Sequence, residues 1–496
     1  MTEKTEFQFS FEDHSKLPLA GDWVIGDGEN LVIRSPASGD VVGELATAST
    51  AQVEEALSAA QSAWQSRDWA ELLPHQRADF LFRASQLIEE RADLLAGLQA
   101  TENGKTYKES RGQAIAAAGI VRYFAALCET SRDEIPPARG NYLTATVHEP
   151  YGVVAAITPW NSPLTMAAQK IAPALAAGNA VVLKPSELTS LVSIALAKCF
   201  LDAGLPAGLL SVLPGMGNVG VQMVESPLTD LVSFTGGPAA GQAIAEACAR
   251  QFKPVILELG GKSPNIVFED ANLEAACQGV VGAIFASGGQ SCVAGSRLLV
   301  EKSVHGRFMD MLIQKADAMK LGDPFDVTSD IGPMASFAQR ERVESYVEIA
   351  REEGGQILAG GRRPEGGIYD KGAYYPPTII DGLDCCSRVV REEIFGAVLA
   401  VCPFEALEQV VTLANDTVYG LAAGIWTKDY KKAWQVAKAM KAGTVWINTY
   451  KQLSISAPFG GYKESGLGRE KGVQGLRAYQ QIKSIYLGEF EDGIQA

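Results

Sequence analysis

The chain has 496 residues, 47% of them hydrophobic and 20% charged, and at that length about three quarters of the unfolded surface can be buried, which excludes a mainly disordered protein and one that depends on staples. Lysine and arginine number 43 against 58 aspartates and glutamates, a net charge of -15 with no basic block, so nucleic acid and anionic membrane are excluded as main partners. Eight cysteines are too few for a disulfide scaffold, and none forms a CxxC pair or a Cys/His cluster of zinc spacing, the Cys385-Cys386 doublet included, so no metal site is expected.

The N-terminal stretch MTEKTEFQFSFEDHSKL lacks a basic segment followed by an apolar core, so no secretory leader is expected. Residues 52–64 and 77–98 carry apolar residues at helical spacing, with Ala78, Leu81, Phe82, Ile88, Ala92 and Leu95 on one face. Residues 141–147 (NYLTATV) alternate instead, as do residues 481–486 (QIKSIY) near the other end. Alternation predicts antiparallel edge strands, and an exposed edge invites pairing, so these segments read either as ordinary edges or as subunit contacts.

From Tyr151 the texture changes. Apolar strands are predicted at 152–158, 180–183, 209–213, 231–234 and 254–259, separated by helices at 166–177, 188–205, 218–225 and 239–250. A second series of strands follows at 265–268, 297–300, 378–380, 398–403, 422–426 and 444–447, with a helix at 304–320. Strands that are apolar throughout and separated by helices imply parallel sheets covered on both faces, here two open α/β domains in succession. The most apolar long stretch, 171–183, is too short to span a bilayer, and a cytoplasmic, reducing setting is expected.

The four histidines, His14, His75, His148 and His305, stand beside neither a Gly-rich turn nor a candidate nucleophile, which weakens Ser-His-Asp and zinc-hydrolytic mechanisms. Asn161, in Trp160-Asn161-Ser162-Pro163, follows a predicted strand; its amide could donate to an oxyanion, or the segment is simply a turn. Lys184-Pro185-Ser186-Glu187 offers a cation and a carboxylate suited to ribose hydroxyls, or equally a helix N-cap with an acid in its first turn. Gly215 to Gly220 matches GxGxxG, but no acid ends the next strand, so that fingerprint is incomplete. The loop that follows, with Gly236 and Gly237, opens a helix whose N–H groups could hold a pyrophosphate. Glu258 ends a strand beside Gly260-Gly261, the place for a general base or for a salt-bridged strand end. Cys292 lies among small residues, GGQSCVAGS, and reads as an accessible nucleophile or as a small hydrophobe.

In this order the segments WNSP, LKPSE, FTGG, LELGGKSP, GQSCVAGSR, EEIFG and PFGGYKESGLGRE resemble the aldehyde dehydrogenase superfamily, from about residue 51 to residue 488. The resemblance implies an α/β fold with two open parallel-sheet domains, a Rossmann-like NAD-binding domain (1–130 and 151–259) and a catalytic domain (260–465), plus a discontinuous antiparallel oligomerisation arm (131–150 and 466–496). It implies oxidation of an aldehyde to the acid, with Cys292 as attacking thiolate, Asn161 on the oxyanion and Glu258 activating the hydrolytic water. Trp160, Lys184, Glu187, Gly217, Phe234, Gly236, Gly237, Leu259, Glu393 and Phe395 match cofactor positions, and a carboxylate at Glu187 favours NAD over NADP. Ser162, Met166, Gln169, Ser291, Val293, Lys451 and Leu453 match the substrate pocket. Because Ser162, Gln169 and Leu453 stand where relatives carry aromatics, a wide polar pocket is expected, for a bulky or polar, even anionic, aldehyde or a cyclic hemiacetal. Lys451 reads either as a charge at the tunnel mouth or as a solvated lysine. Gly237 and Ala397 depart from the commoner Ser and Pro, which puts the mobility of the cofactor loop in question. The implied partners are a small-molecule aldehyde and further copies of the chain, in a homodimer or homotetramer. A coenzyme A-acylating enzyme and a non-catalytic, crystallin-like relative are the alternatives, and the joint presence of Cys292, Asn161 and Glu258 speaks against both.

Overall fold

The computed structural model describes residues 15–488. Residues 1–14, which bear most of the N-terminal reading and His14, and residues 489–496, the end of the expected arm, lie outside the described residues. Short hairpins, Leu17–Leu19 with Asp22–Val24 and Asn30–Arg34 with Val41–Ala46, precede a helical layer. The stretch 77–98, which reads as one helix, is two, Pro74–Glu90 and Ala92–Asn103. Arg91 interrupts them with φ -97° and ψ 15°, its guanidinium turned to Asp202 at 2.6 Å. The long helix Tyr107–Thr130 follows, its first turn capped by the Thr106 hydroxyl, which accepts from the Glu109 N–H.

The first strand series forms a six-stranded sheet in the spatial order Gly466–Leu467, Val255–Glu258, Leu231–Thr235, Val153–Ile157, Ala180–Lys184, Leu210–Val212. All of it is parallel except the two-residue strand Gly466–Leu467, which comes from the stretch expected in the arm and pairs antiparallel with Val255–Glu258. Chain order reverses between Val153–Ile157 and Leu231–Thr235, so the loops leaving these neighbours diverge and open a crevice. Trp160-Asn161 and Gly236-Gly237 are those two loops.

The second series forms a seven-stranded sheet, Gln356–Ala359, Thr378–Asp381, Val398–Phe404, Arg297–Glu301, Pro264–Val267, Ala422–Trp426, Thr444–Ile447, in which only Gln356–Ala359 is antiparallel. Its strands are apolar throughout because each face has its own core. Leu298 and Val300 pack into one cluster while Leu299 packs into the other, and Leu399 and Val401 face away from Val398, Ala400 and Cys402.

The two alternating segments pair with each other. Tyr142–Pro150 and Gln480–Gly488 run antiparallel from Gln480 opposite Pro150 to Gly488 opposite Tyr142. This ribbon leaves Ile482, Tyr486 and Leu487 more than 60% exposed. Among the described residues, no helix is long and apolar enough to cross a membrane, and no group of three or more His, Cys, Asp or Glu side chains could hold a metal ion.

Candidate active site

A cavity of about 990 Å³ lies where the crevice of the six-stranded sheet meets the second domain. Its wall draws on both strand-end loops (Trp160, Asn161, Gly236, Gly237), on Glu258 and Leu259, on Cys292, and on Glu393 and Phe395. Gln113, Ala116 and Ile120 complete one side from the helix Tyr107–Thr130, their spacing of three and four residues setting them on one helical face.

The backbone ahead of Cys292 takes three left-handed residues in succession, Ser287 (φ 59°), Gly288 (φ 62°) and Gly289 (φ 72°). A Cβ at Gly289 would stand 2.1 Å from the Gly396 carbonyl, so this turn requires glycine. Gln290 locks the loop: its Oε1 accepts from the Ala335 N–H at 2.8 Å and its Nε2 donates to the Ser287 carbonyl at 3.2 Å. Cys292 emerges half-buried, a free thiol. Burial, then Glu258 and Glu393, push it up to about 12, and the Lys471 ammonium pulls the other way. Asn161 Nδ2 donates one hydrogen to the Gln290 carbonyl at 3.0 Å, which orients the amide and leaves its second N–H available.

Glu258 is 3% exposed, and neither carboxyl oxygen has a hydrogen-bond partner. Burial, reinforced by the nearby charge of Glu470, holds it well above the usual carboxylate range. Glu470 is committed elsewhere. The Lys170 ammonium meets it at 2.7 Å, Gln169 Nε2 donates to its other oxygen, and Lys170 continues to the Ser233 hydroxyl, which bonds Tyr479. Gln169 lines the cavity, as its motif position implies, with its amide NH2 engaged by this buried network and its Oε1 unpartnered.

Opposite, the wall is spare. Nothing lies within 4 Å of a Cβ placed on Gly237, whereas one on Gly236 would strike the Phe234 ring at 2.4 Å. The buried Thr235 hydroxyl has no partner. Trp160 and Phe395 meet edge to face, 5.3 Å between centroids, and Glu393 Oε1 accepts from the Gly261 N–H at 3.0 Å. Lys184, Glu187, Gly217 and Phe234 stand outside this lining. The Lys184 stem passes over Gly220, its ammonium donates to the Pro185 carbonyl at 3.1 Å, and burial lowers its pKa while Glu187 resists the shift.

Of the positions matched to the pocket, Ser162, Met166, Gln169, Ser291, Val293 and Leu453 all line the cavity. Lys451 is not among its lining residues. Its ammonium donates to the Gly282 carbonyl at 3.3 Å, and burial together with neighbouring Lys105 brings it down to about 8. Lys471 lines the cavity instead. Sequence reading passed over Lys471, one residue beyond the quoted PFGGYKESGLGRE, and Lys170, next to Gln169. It also passed over Gln113 and Ile120, whose signal was the helical spacing of 113, 116 and 120.

A family model described as the aldehyde dehydrogenase family matches residues 23–485. A betaine aldehyde dehydrogenase of Bacillus subtilis (strain 168) is 40% identical over 94% of this chain and 96% of its own length. Among solved structures, the NAD+ complex of an aldehyde dehydrogenase from Bacillus cereus superposes with a TM-score of 0.94 at 40% identity, covering 96% of this chain and 97% of that one. A betaine aldehyde dehydrogenase from Staphylococcus aureus, also with NAD+, gives a TM-score of 0.94 at 37% identity, over 96% of this chain and 94% of that one.

Proposed function

The chain belongs to the aldehyde dehydrogenase family, and on that footing we propose that it oxidises an aldehyde to the carboxylic acid through a thioester on Cys292, with NAD+ as the oxidant. The observation that carries this reading is one cavity holding the half-buried Cys292 thiol, an Asn161 amide with a hydrogen to spare, and a Glu258 carboxyl with no partner.

The Cys292 thiol loses its proton to solvent, and the resulting thiolate sulfur adds to the aldehyde carbon. The free Asn161 N–H and the Cys292 backbone N–H hold the resulting oxyanion, a kind of contact worth about 2.7–4 kcal/mol in acyl transfer. NAD+, when bound, accepts the hydride that leaves the former aldehyde carbon. Glu258 takes a proton from the water that attacks the thioester. Its raised pKa makes it a stronger base than an ordinary glutamate, and Glu470 beside it maintains that shift. Hydrolysis, rather than transfer to coenzyme A, follows from having this carboxylate beside the thiol.

The residues present fit a dinucleotide. The open space at Gly237 and the unpartnered Thr235 hydroxyl suit a pyrophosphate at the start of the helix Pro238–Ala249. Lys184 and Glu187 would hold the adenosine ribose, with Glu393 and Phe395 at the nicotinamide ribose. Glu187 would hydrogen-bond a 2′-hydroxyl and repel a 2′-phosphate, so NAD+ is the cofactor and equal catalytic efficiency with NADP+ would count against the assignment. The NAD+ bound in both solved relatives supports the same choice.

The width of the cavity and its polar Ser162 and Gln113 suit a bulky or polar aldehyde or a cyclic hemiacetal. The exposed apolar residues of the ribbon favour assembly into a homodimer or homotetramer. The test is a panel of aldehydes supplied with NAD+. NADH and free acid should form in equal amounts without coenzyme A, and a strict requirement for coenzyme A with acyl-CoA as product would overturn the hydrolytic reading.

A further inference from the structure

The cavity lining holds two cations, Arg342 and Lys471. Arg342 is engaged by backbone on the side of Glu393: its Nη2 donates to the Glu393 carbonyl at 2.7 Å and its Nε to the Ile394 carbonyl at 3.3 Å. Lys471 is not. Among the described residues, no carboxylate lies within 4 Å of its ammonium and no acceptor bonds it, although Glu258 and Glu470 share the same wall. Glu470 is already paired with Lys170; burial lowers the Lys471 pKa, and the charges of Glu470, Cys292 and Glu258 resist that shift without any of them making a direct ion pair with it.

The backbone at Lys471 takes φ 58° and ψ 171°, a region that is essentially glycine's. A glycine would sit there without strain, yet the position carries a long cation turned to the cavity. Its ammonium lies 5.1 Å from the centroid of the Phe459 ring. The other two rings of the lining, Trp160 and Phe395, pack against each other. One face of the Phe459 ring, of the kind that receives a quaternary ammonium, is therefore already covered by a cation.

From this arrangement we infer that Lys471 is the specificity residue of the cavity and that its substrates are aldehydes bearing a carboxylate or another anionic group, not the trimethylammonium aldehyde that names its relatives. The inference rests on the proposed aldehyde oxidation. A fixed ammonium in a partly desolvated wall attracts an anionic substituent and repels a cationic one at similar strength. Lys451 stands outside the lining, its ammonium held by the Gly282 carbonyl.

The test compares kcat/KM for 4-oxobutanoate, butanal and betaine aldehyde in the wild type and in Lys471→Met, Lys471→Gly and Lys471→Arg. In the wild type, 4-oxobutanoate should exceed butanal by about tenfold or more, the worth of one charge-assisted contact, with betaine aldehyde poorest. Methionine or glycine should collapse the first ratio by about the same factor and arginine should retain it. The glycine variant relieves the backbone, so its result is not open to the charge of misfolding. A wild type that prefers betaine aldehyde, or a Lys471→Met that lowers all three substrates alike, overturns the inference. A second arm needs no turnover: succinate titrated calorimetrically should bind the wild type at least about tenfold tighter than choline, and Lys471→Met should abolish the difference. Absence of NADH from every aldehyde would defeat the oxidative reading while this binding arm still decides the role of Lys471.

Discussion

Around Gly236 and Gly237 the cavity wall is backbone and empty space, whereas around Gln169, Glu470 and Lys471 it is charged side chain tied into the core. The backbone half asks little of the rest of the fold. A strand end, a helix start and the absence of a Cβ suffice to receive a phosphate. The charged half depends on partners far away in sequence, Lys170 with Glu470 and Ser233 with Tyr479, and a buried charge without its partner is costly. One half is therefore generic, and the other holds what is particular to this chain.

The sharpest test of that contrast is at the junction of the halves. Cys292→Ala should lower NADH formation by at least about 10⁴-fold, as removal of a covalent nucleophile does, while fluorescence titration still reports NAD+ binding by the untouched half. Glu258→Gln should lower kcat by about 10²–10⁴-fold yet leave a rapid first turnover of NADH, because thioester formation precedes the step that needs the base. Since Glu258 stands above the usual range, its neutral acid persists toward neutral pH. The wild-type hydrolytic rate should therefore climb as pH rises and the proton leaves, and this limb should vanish in the glutamine variant; an unchanged pH profile would remove Glu258 from the step.

In the charged half, Lys170→Met strands Glu470 in the core and should cost about 3–5 kcal/mol in urea-induced unfolding, if that transition is two-state. In the backbone half, Gly237→Ala meets only open space at φ -74° and ψ 152°, so its stability should stay within about 0.5 kcal/mol, with KM for NAD+ raised severalfold. Equal destabilisation by both substitutions would erase the distinction between the halves.

Both strand series were legible because a strand covered on two faces must be apolar throughout, and Cys292, Glu258 and Asn161 stood out because each sits at a strand end or a small-residue turn. Arg91 breaking a helix and Gly466–Leu467 adding to a sheet edge were not legible. Neither carries a period, and each is decided by a contact, with Asp202 and with the strand Val255–Glu258.

Local pattern thus reached the α/β architecture and the candidate reactive residues, since periodicity and turn chemistry act over a few residues, while the family rested on the resemblance of the ordered motifs. Tertiary structure alone decided which charges meet. It joined Lys170 to Glu470 across 300 residues, tied Lys451 to the Gly282 carbonyl and turned Lys471 into the cavity. A lysine's chemistry depends on what encloses its ammonium, and that enclosure is assembled only when distant segments pack together.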